Sequence, residues 1–267
     1  MSARLSAGAR VAPKGFSRPD APRVMAIIPV YNHAGTLRDV AAGCLGMVER
    51  VLVVDDGSSD GGANTLKGLD LHVVRHPTNL GKGAAILTAA EKALSWGMTH
   101  MVTVDADGQH DPDDIRGFIA EIEAFPRAIV VGKRDFERAH APAPSRVGRT
   151  ISNFWLRLET GISIGDAQSG FRAYPVDLFR HLKLRERGYA FEIEVLVKAS
   201  WAGVELREVG ISTFYPAAGE RISHFRLFQD NLRLSLLNAR LVMRALMPVP
   251  HRKIPGLRDG PHGGRGG

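Results

Sequence analysis

The sequence predicts an α/β fold with a doubly wound, mostly parallel sheet. Short apolar runs recur, among them Val24 to Val30, Val51 to Val54 and Ala128 to Val131. Each is followed by a polar loop or a helical stretch. The loops are short and the rhythm is regular, which is how strand–helix–strand crossovers read in sequence.

Val24-Met25-Ala26-Ile27-Ile28-Pro29-Val30 is apolar throughout, as a central parallel strand buried on both faces must be. Pro29 falls at its C-terminal end, where the ladder is finishing. Tyr31-Asn32-His33 make the turn, and a helix runs from Ala34 to Gly46. Val51 to Val54 is the second strand, with Asp55 to Asp60 as its polar exit. A short helix and a third strand, Leu71 to Val74, precede the loop His76 to Gly83 and an Ala-rich helix ending near Gly97. The β-branched run Met101 to Val104 is a buried fourth strand that opens into Asp105-Ala106-Asp107-Gly108-Gln109-His110. Asp111 suits a cap and Pro112 the first turn of a helix running from Asp113 to Ala124. A strand from Ala128 to Val131 follows. After Lys133 the rhythm changes to a loop at 135–147, a helix from Val147 to Glu159, and an extended or turn segment from Asp166 to Tyr174. The chain closes with a helix from Tyr189 to Ala202, a strand-like stretch from Val204 to Tyr215, and a helix from His224 to Leu246.

The chain of 267 residues accommodates one large α/β domain or two small ones. The expected organisation is an N-terminal arm over 1–22, a domain over 23–223, an amphipathic helix over 224–247 and a tail over 248–267. The arm lacks an apolar core of the kind a signal peptide carries. No run approaches the ~18 apolar residues of a membrane span, so any membrane contact is expected to be peripheral. Cys44 is the single cysteine, which excludes an internal disulfide and a thiolate metal site. The net charge of +7 points to an anionic partner: a nucleotide diphosphate, an acidic membrane surface or nucleic acid. No basic face interleaved with aromatics is present, so nucleic acid is not expected. On the last helix Phe225, Phe228, Leu232, Leu236 and Met243 recur at helical spacing among Arg226, Arg233, Arg240 and Arg244. That stripe serves equally for packing on the domain and for lying in an anionic headgroup layer.

Asp105 and Asp107 leave the end of a parallel strand, where open α/β sheets bind ligands. A hard cation such as Mg²⁺ or Mn²⁺ takes one or two carboxylates, water and the oxygens of a diphosphate. No Gly-x-Gly-x-x-Gly follows the first strand, which argues against an ordinary dinucleotide site. Gly81-Lys82-Gly83 resembles a fragment of a phosphate loop without its upstream glycine or its hydroxyl residue. Lys82 therefore either meets a phosphate at the helix N-terminus or is a solvated turn lysine. Asp55-Asp56-Gly57-Ser58 reads as a turn and cap, but it emerges beside Tyr31 and Asn32. A carboxylate there accepts hydrogen bonds from a base or ribose, and Tyr31 offers a stacking face. Four polar loops on one rim point to a nucleotide-diphosphate site.

Taken together, Ile28-Pro29-Val30-Tyr31-Asn32, Val53 to Gly61, Asn79 to Gly83 and Asp105 to Gln109 resemble the family 2 glycosyltransferases. The similarity is to the dolichyl-phosphate mannose synthase-like branch, and Gly132-Lys133-Arg134 and Asp166 to Arg172 continue it. It spans residues 24–215 with the motifs in the same order. The resemblance implies a GT-A fold with a C-terminal acceptor region. It implies that Pro29, Tyr31, Asn32 and Asp56 hold the base and ribose of a UDP- or GDP-sugar. Asp105, Asp107 and Gln109 would surround the metal, with Ala106 on the substrate side. Arg134 would contact the diphosphate, with Lys82 close by. Asp166, Gln168 and Ser169 would line the sugar and acceptor. The sequence departs from the family at His33, where Glu is common, and at His224, where acceptor-binding members carry Lys. Arg221 and Ser223 are left to hold a lipid phosphate.

The implied activity is inverting transfer of the sugar to a lipid acceptor, with polyprenyl phosphate expected and a hydroxyl of another lipid or glycan as the alternative. A non-catalytic nucleotide-sugar binding module is the reading from a different class. Asp107 and Arg134 would act on the departing diphosphate. A hydroxyl acceptor would need a base, for which Asp166 and Glu192 are candidates, each with a structural reading beside it. The expected location is cytoplasmic, at the membrane face.

Overall fold

The computed structural model describes residues 22–135, 143–215, 227–248 and 250–254. In chain order the elements are β1 (Val24–Val30), α1 (Ala34–Leu45), β2 (Arg50–Asp55), α2 (Gly62–Thr65), β3 (His72–Arg75), α3 (Lys82–Ser95) and β4 (His100–Thr103). A 3₁₀ turn (Pro112–Asp114) leads into α4 (Ile115–Ala124), then β5 (Ile129–Arg134), α5 (Ala143–Thr160) and β6 (Arg172–Pro175). The rest are α6 (Leu178–His181), α7 (Phe191–Ala202), β7 (Leu206–Ile211) and α8 (Leu227–Leu246). Expectations for the arm over 1–21, for 136–142, for 216–226 and for most of the tail fall outside the described residues.

Seven strands form one sheet in the order β3-β2-β1-β4-β6-β5-β7. All neighbours are parallel except β6, which runs antiparallel to β4 and β5. Alternation along each strand sends side chains to opposite faces. On one face Ile27, Leu52 and Met101 join Ala89, Leu156, Leu196 and Leu237 from the flanking helices. On the other, Ile28, Val53 and Val102 join Leu37 and Phe118. The doubly wound expectation holds, with helices covering both faces of a mostly parallel sheet.

The sequence reading leaves Asp166 to Tyr174 as an extended or turn segment, whereas its end forms β6, inside the sheet. A four-residue run beginning with Arg and ending with Pro carries no strand signature. The strand forms because Arg172 is fully buried with its charge held by three carbonyls: Ser169 at 2.6 Å, Glu192 at 2.6 Å and Ala167 at 2.8 Å. Since β6 is antiparallel, Arg172 pairs with Thr103, the last residue of β4, and Pro175 with His100, the first. The loop before β6 therefore reaches the same rim as the exits of β1, β2 and β4.

The last helix packs on its own domain. Leu237 and Leu241 of α8 are buried in the core, and Arg240 bonds Glu186 at 3.0 Å. Its other face stays open, with Leu236 63% and Met243 62% exposed. Helix α5 carries a matching open stripe at Val147, Ile151, Phe154 and Leu158. Among the described residues no helix is long and apolar enough to cross a membrane.

Glu159, near the end of α5, is buried, and among the described residues neither carboxylate oxygen has a hydrogen-bond partner. Burial pushes its carboxyl up to about 8. The folded value lies above the unfolded one, so the stabilising difference is full below the ordinary glutamate range. It is lost as pH rises through about 8. Glu159→Gln should therefore gain ~1–3 kcal/mol over the native chain at alkaline pH and little or nothing at pH near 4. Urea melts at both pH values test this; equal effects at the two would refute it.

Candidate active site

The exits of β1 and β2 clasp one another. Asn32 sits at φ 54°, a left-handed position that Asn tolerates better than most residues. Its amide oxygen accepts from the Ser59 N–H at 2.8 Å, and its own N–H donates to the Ser58 hydroxyl at 3.0 Å. Tyr31 and Pro29 stand half-buried beside it.

Asp56, expected at the base and ribose, is only 3% exposed, and both its oxygens are occupied. They accept the N–H groups of Leu80 at 2.9 Å and Gly81 at 2.8 Å, and face His76 Nδ1 at 2.7 Å. The effect is to pin the loop that delivers Lys82. Gly57 permits this close approach, because a Cβ there would lie 2.5 Å from the Thr78 carbonyl carbon.

Lys82, the first residue of α3, lies between two carboxylates. Its ammonium lies 2.6 Å from Asp105 and 2.7 Å from Glu192. Burial works against its charge, but the two carboxylates outweigh it and hold its proton well beyond the usual lysine range. Burial likewise opposes the charge on Asp105; Lys82, then His110 and Arg134, overcome it and keep that carboxyl below the usual range. Asp107 goes the other way, raised by burial and then by the negative charge of Asp105. Its Oδ1 accepts the Gln109 N–H at 3.0 Å. Two adjacent carboxylates thus differ sharply: one is neutralised by a lysine, the other is not.

Arg134 ends β5 with its guanidinium in a fork on Asp166, Nε to Oδ2 at 2.6 Å and Nη2 to Oδ1 at 2.8 Å. Asp166 has no exposure, so its carboxylate aims Arg134 rather than facing solvent. Behind Asp105 runs the backbone of Gly170, whose carbonyl accepts from the Thr103 hydroxyl at 2.6 Å. A Cβ at Gly170 would lie 2.5 Å from both Asp105 Oδ2 and Lys82 Nζ. Ser169 is fully buried, and its hydroxyl has no partner among the described residues. Gln168 packs against Gly148 of α5.

Of the remaining expected residues, Gln109 is nearly buried, and its carbonyl accepts the Phe214 N–H at 2.8 Å. Ala106 lies in the core, its carbonyl taken by the Thr36 hydroxyl at 2.5 Å. Arg221 and Ser223 lie outside the described residues. His110 belongs to the cluster although it did not stand among the expected site residues, and Glu192, weighed as a base for a hydroxyl acceptor, meets Lys82.

The donor set suits a hard divalent cation. Among the described residues no three His, Cys, Asp or Glu side chains are gathered to hold a metal unaided. Two carboxylates of like charge, one raised by the other, with an amide nearby, fit an ion that takes its remaining oxygens from water and a diphosphate.

Residues 25–183 match the family model for glycosyl transferase family 2. A UDP-N-acetylglucosamine–dolichyl-phosphate N-acetylglucosaminyltransferase of Methanococcus voltae is 31% identical over 212 residues, 71% of this chain and 84% of that protein. A polyprenol monophosphomannose synthase of Mycolicibacterium smegmatis is 28% identical over 249 residues, 83% of this chain and 92% of the other. Among solved structures, glucosyl-3-phosphoglycerate synthase of Mycobacterium tuberculosis bound to phosphoglyceric acid superposes with a TM-score of 0.63 at 18% identity, covering 85% of this chain and 81% of its own. The same enzyme in complex with Mn²⁺, UDP and glucosyl-3-phosphoglycerate gives 0.59 at 18% identity over 86% and 85%.

Proposed function

The chain belongs to glycosyl transferase family 2, and we propose that it moves a sugar from a nucleoside-diphosphate sugar to a polyprenyl phosphate with inversion. The observation that carries this reading is the gathering of Lys82, Asp105 and Glu192 at one rim, within the field of Arg134. The relatives named for dolichyl-phosphate and polyprenol substrates support the acceptor class.

Asp105, Asp107 and Gln109 are the residues to hold Mg²⁺ or Mn²⁺, which when bound would neutralise charge on the departing diphosphate. Pro29, Tyr31 and Asn32 line the base side. Asp56 serves by fixing the Lys82 loop. Arg134, held in one orientation by Asp166, stabilises charge as it develops on the leaving group. Gln168 and the unpartnered Ser169 hydroxyl lie on the sugar side. Arg221 and Ser223 remain the candidates for the acceptor phosphate.

The acceptor follows from acid–base chemistry. A hydroxyl needs a base, and the carboxylates considered for that role are engaged: Asp166 with Arg134, Glu192 with Lys82. A phosphate monoester is largely dianionic at neutral pH and needs none. Mass spectrometry of lipids formed from a panel of sugar nucleotides, offered polyprenyl phosphate or diacylglycerol, tests this. Product on diacylglycerol alone would overturn the acceptor; no product from any sugar nucleotide would overturn the transfer.

The open stripes of α5 and α8 support peripheral contact with the cytoplasmic face of a membrane. Deleting α8 would strip Leu237 and Leu241 from the core, so point changes are the cleaner probe. Leu236→Ser with Met243→Ser should lower partition onto vesicles by at least ~10-fold, given ~0.8 kcal/mol per buried methylene. Sedimentation with unchanged partition would refute the contact.

A further inference from the structure

A cavity of about 600 Å³ lies at the opposite end of the sheet from the candidate active site. The register places it there. Pro175, just before α6, pairs with the first residue of β4, not the last. Helix α7 runs from Glu192, beside Lys82, to Trp201 in the cavity wall, about 14 Å at 1.5 Å per residue. Among the described residues no carboxylate lines it, whereas Lys183, Arg185, Arg244, Arg252 and Lys253 do. Lys198 and Arg240 also line it, but they are engaged by Glu194 and Glu186. Among the described residues Lys183, Arg185, Arg252 and Lys253 have no ion-pair partner.

Cations outnumber carboxylates around this cavity among the described residues, and a neighbour registers it. His251 stacks on Trp201 at 4.3 Å, and its imidazole is pushed down by burial and then by the charges of Arg244 and Lys253. The apolar part of the wall comes from Trp201, Leu241 and Ile254. Around Arg244 at the end of α8 stand Met243, Leu246 and, just past the helix, Met247, 62%, 77% and 50% exposed. An occupant that is anionic at one end and apolar at the other meets both surfaces.

We infer that this basic cavity is a second anion site, separate from the diphosphate site, and that it takes the phosphate headgroup of an anionic lipid while the α8 stripe contacts the acyl region. The inference rests on the membrane contact proposed above. It adds headgroup selectivity to that contact.

The test uses the full chain and vesicles of phosphatidylcholine, alone or with phosphatidylglycerol. It compares the native chain with Arg252→Glu/Lys253→Glu, two exposed positions outside the helices. The control is Lys67→Glu/Arg116→Glu, an equal charge change at exposed positions on the α1/α4 side. Thermal melts confirm folding of each. The expected result is tighter binding to vesicles with phosphatidylglycerol, a loss of that gain by about ten-fold or more in the cavity variant, and a control within about two-fold of the native chain. Equal losses in both variants would reduce the effect to overall charge and overturn the site. Binding to neutral vesicles with no gain from phosphatidylglycerol would overturn the site and leave the apolar contact standing. No binding to either vesicle would overturn both. Inorganic phosphate that raises the melting temperature only when the cavity is intact, with no phosphatidylglycerol gain, would assign a soluble anion and overturn the lipid.

Discussion

Asp107→Asn should abolish transfer, with a loss on the order of 10³-fold in turnover, ~4 kcal/mol of transition-state stabilisation. Lys82 sits between Asp105 at 2.6 Å and Glu192 at 2.7 Å, and among the described residues no such cation pairs with Asp107, so Asp107 adds the negative charge that would draw a divalent cation. Burial and the repulsion of Asp105 hold Asp107 above its ordinary range, which means its ionised form costs the fold stability. The amide removes that cost. The variant should melt no lower than the native chain, and thermal stabilisation by Mn²⁺ should vanish with activity. Undiminished turnover with bound metal verified would refute the role, as would a retained Mn²⁺ shift.

Gly170→Ala should cost about 10²-fold in turnover with the fold retained, because small misplacement of reacting groups is that expensive. The added methyl would lie 2.5 Å from both Asp105 Oδ2 and Lys82 Nζ. Those atoms end side chains and can retreat, but only by parting the pair. The Gly170 backbone cannot retreat, since Thr103 grips its carbonyl at 2.6 Å and Arg172 grips the preceding one at 2.6 Å. Overpacking of this kind costs ~1–3 kcal/mol of stability. Gly188→Ala is the matched control, having nothing within 4 Å of the new methyl. Steady-state kinetics on both variants decide it; equal activity of the two would mean that the Asp105–Lys82 geometry is not needed.

Much of the fold was legible because it is periodic. Buried parallel strands are continuous apolar runs, and β1, β2 and β4 lie within a few residues of where those runs place them. The β6 strand was not legible, since a buried arginine has no propensity signal. What stabilises it is a set of carbonyls three, five and twenty residues away in sequence. The last helix was legible as amphipathic but ambiguous in use, because one apolar stripe serves both a core and a surface. The structure divides it: Leu237 and Leu241 go inward, Leu236 and Met243 outward.

The sequence by itself determined the order of strand, polar loop and helix, and therefore that several loops rich in Asp, Asn and Lys share one rim, because parallel strands connected by helices all end on the same side. It also determined the family. Only the tertiary structure decided what those side chains do to one another: that Lys82 neutralises Asp105, that Asp166 locks Arg134, and that Asp56 holds a loop. Such pairings depend on separations of about 3 Å between atoms far apart along the chain, and charge interaction falls off with distance through space, a quantity that covalent order does not encode.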